Sequence, residues 1–462
     1  MVDRRCFILG LGASALTLSA STIPAGAQGS IITKARLRGG IDATEFGLRP
    51  NATDDQSAIF QRMIDEADRR NLPIDLPPGV YPLSNIRLPK RTRLSGVPGA
   101  TRIRYSGRGF LFRAENAAHI TLDGLSIDGQ NRWLSDDSEA LIELRQPGEV
   151  HMTGCEVVGA GKTALQIEGA SGLLRDNHIS GAASIGLFAR QSEGLSIEGN
   201  TVERCGDGGI LVHRWEEGED ATQIRGNRIS EIGAASGGTG QYGNGINIYR
   251  AQNVIVADNI VTDCAFSAIR GNTASGMIAR GNQCLRSGET ALYAEFGTTG
   301  SIIDGNLIDG AANGISVVNF DSGGRLSSVS SNIVRNIVDH GPTAEDAAGF
   351  GIGIAVEADT AVAANVVEKA ARFGMAAGWG PYLRAVSMTG NVVRESPVGL
   401  AVTVAEGAGK AVVTGNTFQA VPQGAIVGYR WTERASDDLA GLSEEAVADL
   451  FNHLTIARNS VS

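Results

Sequence analysis

Between Leu174 and Phe418 a phrase of the form apolar-x-x-Asn-x-apolar returns ten times, and that repetition restricts the chain to a stack of like units. Its asparagines are Asn177, Asn200, Asn227, Asn259, Asn282, Asn306, Asn332, Asn365, Asn391 and Asn416, spaced 23 to 33 residues apart. A unit of that length cannot bury its own apolar face, so its neighbours must bury it.

The flanking columns identify the unit. Three residues before each asparagine stand Leu174, Ile197, Ile224, Val256 and their successors, and two residues after it stand Ile179, Val202, Ile229, Val261 and theirs. Further on comes a second apolar signal, Gly-apolar-x-apolar, as in Gly209-Ile210-Leu211-Val212 and Gly399-Leu400-Ala401-Val402. Period-two alternation on β-branched residues marks strands with one face buried. Each unit is predicted to be several short strands bent around a narrow core, which makes the chain all-β, a single right-handed parallel β-helix. A leucine-rich horseshoe shares the phrase but wants mostly Leu in one strand per unit, whereas Ile and Val here serve two or more. The asparagine is expected to take the left-handed conformation of a sharp corner and to stack as an amide ladder. Gly precedes it at 199, 226, 281, 305, 390 and 415, which relaxes the bend. Because a solenoid grows linearly, 462 residues fit one elongated domain.

The N-terminus reads differently. Arg4-Arg5 precede Phe7-Ile8-Leu9, a mild apolar run to Ile23, and Ala25-Gly26-Ala27 as a small-x-small cleavage site. Residues 1–27 resemble a twin-arginine export signal, which implies the twin-arginine machinery as a partner, cleavage near Ala27, and a periplasmic or secreted location. The run is too short and too rich in Ser, Thr and Ala to span a bilayer, and no later stretch does so. Of the cysteines, Cys155, Cys205, Cys264 and Cys284 survive cleavage. Cys205 and Cys264 are expected two rungs apart, ~9.6 Å at strand spacing, too far for a disulfide. All four read as small buried hydrophobes, and neither a CxxC nor a Cys/His metal cluster is present. A formal charge of −10 without a basic run argues against nucleic acid and anionic membranes, though an anionic polymer could still meet a local basic groove.

From Glu45 to Gly96 the sequence again changes kind. Thr53-Asp54-Asp55-Gln56 is expected to form a capping box for a helix whose apolar face carries Ile59, Phe60, Met63, Ile64 and Ala67. Phe46-Gly47, Asp54-Asp55, that helix, Pro77-Pro78-Gly79-Val80-Tyr81 and Leu94-Ser95-Gly96 together resemble the N-terminal module of pectate-lyase-like β-helix proteins. With the export signal, the whole also resembles twin-arginine-exported repetitive β-helix proteins of unestablished activity. The resemblance implies that the helix plugs the open end of the solenoid, and Asp54 and Asp55 are read as capping residues rather than catalytic ones. At the other end a short helix is predicted from Ser443 to about Asn452, with Leu450 and Phe451 on its apolar side. The chain is thus divided into a signal (1–27), an N-terminal cap (28–105), the repeats (106–432) and a C-terminal cap with its own helix (433–462).

Function should lie on the outward positions of consecutive rungs and on rung insertions. Counting from the glycine of each second strand, positions +2 and +4 read Phe188/Arg190, Leu211/His213, Asn247/Tyr249, Arg270/Asn272 and Tyr293/Glu295, and turn small and bland beyond Ser316. Insertions at Gly233–Asn244 and His340–Phe350 should rise from one corner, leaving a trough about 19 Å wide. Trp215, Asn319, Phe320 and Asp321 extend the opposite corner, where aromatic faces suit sugar rings and polar groups suit hydroxyls. A lyase or epimerase on uronic acids needs a base beside a cation. Tyr249, Tyr293 or His213 could serve as the base, Arg270 or Arg190 as the cation, with Glu295 beside them and Asn247 and Asn272 as substrate contacts. A glycoside hydrolase needs two carboxylates flanking the bond, and Glu295 has no evident partner. The expectation is an exported carbohydrate-active protein, lyase or epimerase before hydrolase, with a noncatalytic glycan- or protein-binding flank as the alternative. No cofactor is indicated, and Ca²⁺ is left open with no motif to carry it.

Overall fold

The computed structural model describes residues 39–343 and 349–462. The export signal, residues 1–27, lies outside them. Each rung supplies one strand to each of three sheets, as Ser171–Arg175 does for sheet 1, His178–Ser180 for sheet 2 and Ile185–Arg190 for sheet 3. Through the repeats, strands three apart in the chain therefore pair, and all pairs are parallel except the last of sheet 3, where Glu433–Asp438 folds back on Ile426–Arg430. The result is the right-handed parallel β-helix.

The register explains the apolar columns. In sheet 1, Ile197, Ile224, Val256, Ala279 and Ile303 stand directly above one another, and in sheet 2 Val202, Ile229, Val261, Cys284 and Ile308 do the same. All ten are fully buried. Each large aliphatic stabilises the stack by roughly 1.5–3 kcal/mol, and none could do so without the rungs on either side.

Glycine opens the sheet 3 strands because the bend brings sheet 2 against them. A Cβ on Gly209 would sit 2.4 Å from the Gly245 oxygen and 2.8 Å from Ile229 Cγ2, and one on Gly399 would sit 2.4 Å from Phe418 Cδ1. No side chain fits there.

The asparagines form one continuous ladder at the corner between sheets 1 and 2. From Asn177 to Asn459, each backbone N–H and each Nδ2 donates to Oδ1 of the asparagine in the next rung, at 2.9 to 3.1 Å. The second Nδ2 proton goes to the carbonyl of the apolar residue one rung back, as Asn282 donates to Val256 at 3.0 Å. One expectation is corrected here. The left-handed residue is not the asparagine but its predecessor, whether Gly199, Gly281 and Gly390 or Asp176, Asp258, Ser331 and Ala364. The corner residue turns the chain so that the asparagine can point inward.

The helix Ser57–Arg70 buries Phe60, Met63, Ile64 and Ala67 against the first rungs, with Ile59 at the margin. The expected capping box does not form. Gln56 instead brackets the Arg49 backbone, accepting from its N–H at 2.8 Å and donating to its carbonyl at 3.0 Å. Asp55 accepts the Ser57 amide at 2.8 Å and Asp54 pairs with Arg49 at 2.7 Å, so both aspartates are tied into local structure. The C-terminal helix covers Glu444–Leu450 with Ser443 as its cap. Val447 is its buried residue, whereas Leu450, expected on the apolar side, is exposed. The four cysteines are free and buried, and Cys205 and Cys264 are separated by the rung of Ile232.

Candidate functional site

Pairing in sheet 3 stacks Asn247, Arg270, Tyr293, Ser316, Ala355, Ala376 and Ala401 in one outward column. A second outward column carries Arg190, His213, Tyr249, Asn272 and Glu295, followed two rungs later by Glu357. The alternation inferred from sequence therefore holds for this face. Five of these thirteen side chains, Asn247, Arg270, Glu295, Ser316 and Ala401, are buried.

Arg270 and Glu295 are buried together. The guanidinium donates to Glu295 Oε1 from Nε at 2.6 Å, Asn272 donates to the same oxygen at 3.0 Å, and Arg270 Nη1 holds the Gly240 carbonyl. The insertion expected to wall a trough thus folds down onto Arg270 and closes over it. Burial raises the Glu295 carboxyl above the usual range, opposed by Arg270. A pair so engaged is not available to neutralise a substrate carboxylate, which corrects the expectation that the two face solvent. Asn247, beside Arg270 in the column, is buried as well.

Upstream lies an aromatic stack. The His213 ring sits edge-on between Phe188, at 4.9 Å, and Tyr249, at 5.5 Å, while Arg190 lies over Phe188 and over the exposed Trp215. Burial, helped by the charge on Arg190, pushes the His213 imidazole down to about 3. It stays neutral at ordinary pH, with Nε2 buried and without a partner. Arg190 itself is tied to Glu139.

The open cleft lies farther along the same face. It holds about 510 Å³ and runs from Tyr293 to Tyr429 and Trp431. Ser316, Ala355, Ala376 and Ala401 form its floor, and it is open because those side chains are small. Arg372 and Phe373 line one side. Asn319, Trp379 and Trp431 line the other. Trp379 and Trp431 are 44% and 48% exposed and meet edge-to-face at 5.4 Å. Gly380 makes the pair possible: its φ is +53°, and a Cβ there would strike the Trp431 ring at 2.3 Å. Phe373 and Tyr429 make a second aromatic pair across the floor, at 4.9 Å.

Three groups that line this space, Tyr293, Glu357 and Tyr429, are shifted upward by burial. Burial raises the Tyr293 hydroxyl well above its ordinary value, with Glu295 adding to the shift. Burial likewise raises the Glu357 carboxyl, although the amides of Phe320 and Asn319 pull the other way. Phe320 N–H donates to Glu357 at 2.7 Å from a 3-10 turn spanning Phe320–Ser322. Of the expected site residues, Tyr293 and Asn319 line the cleft. Phe320 packs on Tyr382 and under Arg384, and Asp321 sits exposed on the turn outside the lining. Glu357, Arg372, Trp379 and Trp431 were not singled out from sequence. A row of small residues flanked by tryptophans was the available signal.

Among the described residues no group of three His, Cys, Asp or Glu side chains could hold a metal ion, and no helix is long and apolar enough to cross a membrane. Residues 109–240 and 216–418 match the profile of a family described as a right-handed β-helix region. A search of curated sequences found no match. Among solved structures, the pre-mature gene product 12 of bacteriophage phi29 is similar at 15% identity and a TM-score of 0.50, over 87% of this chain and 58% of that one. This chain therefore spans under two thirds of that protein. The Dettilon tailspike protein is similar at 16% identity and TM-score 0.47 over 85% and 69% of the two chains. The A-module of the Azotobacter vinelandii mannuronan C-5 epimerase AlgE6 is similar at 14% identity and TM-score 0.45 over 91% and 99%. Likeness at these levels speaks of the fold alone.

Proposed function

This chain belongs to the right-handed β-helix family, and from that premise we propose that it binds a polysaccharide strand in the cleft of sheet 3. The observation that carries the reading is the floor of Ser316, Ala355, Ala376 and Ala401 set below Trp379 and Trp431, whose exposed ring faces suit the apolar faces of sugars. From Tyr293 to Tyr429 the cleft spans five strand spacings, ~24 Å, room for several sugar units.

The chemistry proposed for it is proton abstraction beside a uronic acid carboxylate, as a lyase or epimerase. Glu357, whose carboxyl burial raises, is the base, and Tyr293, whose hydroxyl burial keeps protonated, is the proton donor lining the same cleft. In a lyase step Glu357 takes the proton next to the carboxylate, the bond to the leaving oxygen breaks, and Tyr293 protonates that oxygen. Arg372, at the cleft wall, takes the neutralising role first sought at Arg270. One observation favours the noncatalytic alternative: the Phe320 amide already holds Glu357, as it would a purely structural carboxylate. A hydrolase finds less support, since Asp321, whose charge reaches Glu357, stands outside the cleft lining. Export by residues 1–27, proposed on the sequence, would put the cleft where such polymers are met.

A panel of neutral and acidic polysaccharides tests the reading. Binding that Trp379→Ala abolishes, with unsaturated or epimerised products that Glu357→Gln abolishes, supports the enzyme. Binding without product on any polyuronate supports the noncatalytic alternative, and no binding to any polymer removes both.

A further inference from the structure

Sheet 2 presents a face with a different design. Its first outward column contains Leu307, Ile333, Val366 and Val392 in successive rungs, and its second contains Asp309, Arg335, Glu368 and Arg394. Ile333, Val366 and Val392 are 47%, 38% and 37% exposed. A contiguous aliphatic row on the outside of a strand marks a contact surface when something specifies what covers it.

The charges specify it. Within the chain they pair along the ladder, Arg335 with Asp309 at 2.9 Å and Arg394 with Glu368 at 3.4 Å. On a protein of formal charge −10 this patch is locally neutral and alternates minus, plus, minus, plus. Such a row is its own complement when reversed. A two-fold axis parallel to the strands, between the rungs of Arg335 and Glu368, sets Asp309 against Arg394 of a second copy and Arg335 against Glu368. The same axis lays Leu307 on Val392 and Ile333 on Val366. An axis along the solenoid, midway between the two columns, would instead set the aliphatic column against the charged one. An isologous contact needs this self-complementarity.

We propose that this face of sheet 2 joins two copies of the chain in an antiparallel dimer. The aliphatic rows supply the attraction and the charges set the direction, because exposed ion pairs contribute orientation more than affinity. Four rungs make a small interface, of the size that gives a reversible dimer with a dissociation constant in the micromolar range, on the order of 1–100 µM. The sheet 3 cleft stays open in both copies.

Sedimentation of the full chain across concentration, with charge swaps, tests it. Arg335→Glu creates two like-charge contacts across the axis and should weaken association at least about tenfold. Adding Glu368→Arg restores opposition across the interface while leaving like-charged neighbours within each chain, so recovery of the dimer separates an intermolecular role from an intrachain one. Thiol cross-linking fixes the direction. Leu307→Cys and Val392→Cys chains, mixed, should couple to each other with a short thiol linker, and neither alone to itself, since like positions lie three rungs apart across the axis, ~14 Å. The native cysteines are buried and silent. A monomer at about 100 µM, failure of the double swap to recover, or coupling of Leu307→Cys to itself would each overturn the proposal.

Discussion

Replacing Asn282 by alanine probes the amide ladder at its middle. The side chain donates to the Val256 carbonyl at 3.0 Å and to Asn306 Oδ1 at 3.0 Å, and its own Oδ1 accepts the Asn259 amide at 3.1 Å and Asn259 Nδ2 at 3.0 Å. Asn306 Oδ1 keeps the Asn282 backbone amide, at 3.0 Å. The groups left bare are the Asn259 amide, one Asn259 Nδ2 proton and the Val256 carbonyl side facing the corner, all in a buried column. At about 1–3 kcal/mol for each of these three buried polar groups without a partner, the loss is ~3–9 kcal/mol before any term for the void. Asn459 is the control, because it ends the ladder and is only half-buried, so water can replace its bonds. Its alanine variant should lose ~1 kcal/mol. Urea unfolding followed by circular dichroism, with unchanged denaturant slope, measures both. Equal losses at the two positions, or a loss below about 1 kcal/mol at Asn282, would refute a ladder whose strength comes from burial.

Three other outcomes are expected. Ala364 sits at φ +56° where most corners have glycine, so Ala364→Gly should raise stability by ~0.5–1 kcal/mol, read as a shift in the urea midpoint. His213, held down to about 3, stays neutral in the folded chain while the unfolded chain takes a proton below ~6.5. Stability should therefore fall between those values on acidification, and His213→Phe should flatten the wild-type slope there by up to a few kcal/mol and change nothing above pH 7; parallel curves would be the contrary result. Arg270→Met leaves Glu295 buried without its cation and should cost roughly 3–5 kcal/mol, so lost activity in that variant must be read beside its melting curve.

The fold was legible because its determinants are local and repeated. Ile197 and Ile224 lie in one column whatever the loops between them do. The direction of a side chain was harder to read, and the asparagine and its predecessor exchanged roles at the corner for that reason. At the candidate site the sequence sorted inward from outward residues in sheet 3, but it could not reveal that residues 233–243 fold onto Arg270. Polar residues such as Arg270 and Glu295 drew attention because they carry chemistry, and they turned out to satisfy one another. The cleft went unread because it is defined by missing volume at Ala355, Ala376 and Ala401, which only coordinates of the surrounding Trp379, Trp431 and Phe373 convert into space.

The ladder also gives the molecule an electrical sense. Every asparagine oxygen points toward the N-terminal end, and one Nδ2–H of each asparagine donates to the next oxygen toward the C-terminal end, so the C=O dipoles of the ladder add instead of cancelling. Hydrogen bonds in such a file polarise one another. The core corner is thus a polarised filament inside an aliphatic sheath, negative where Asn177 receives the Cys155 amide and positive where Asn459 ends the row.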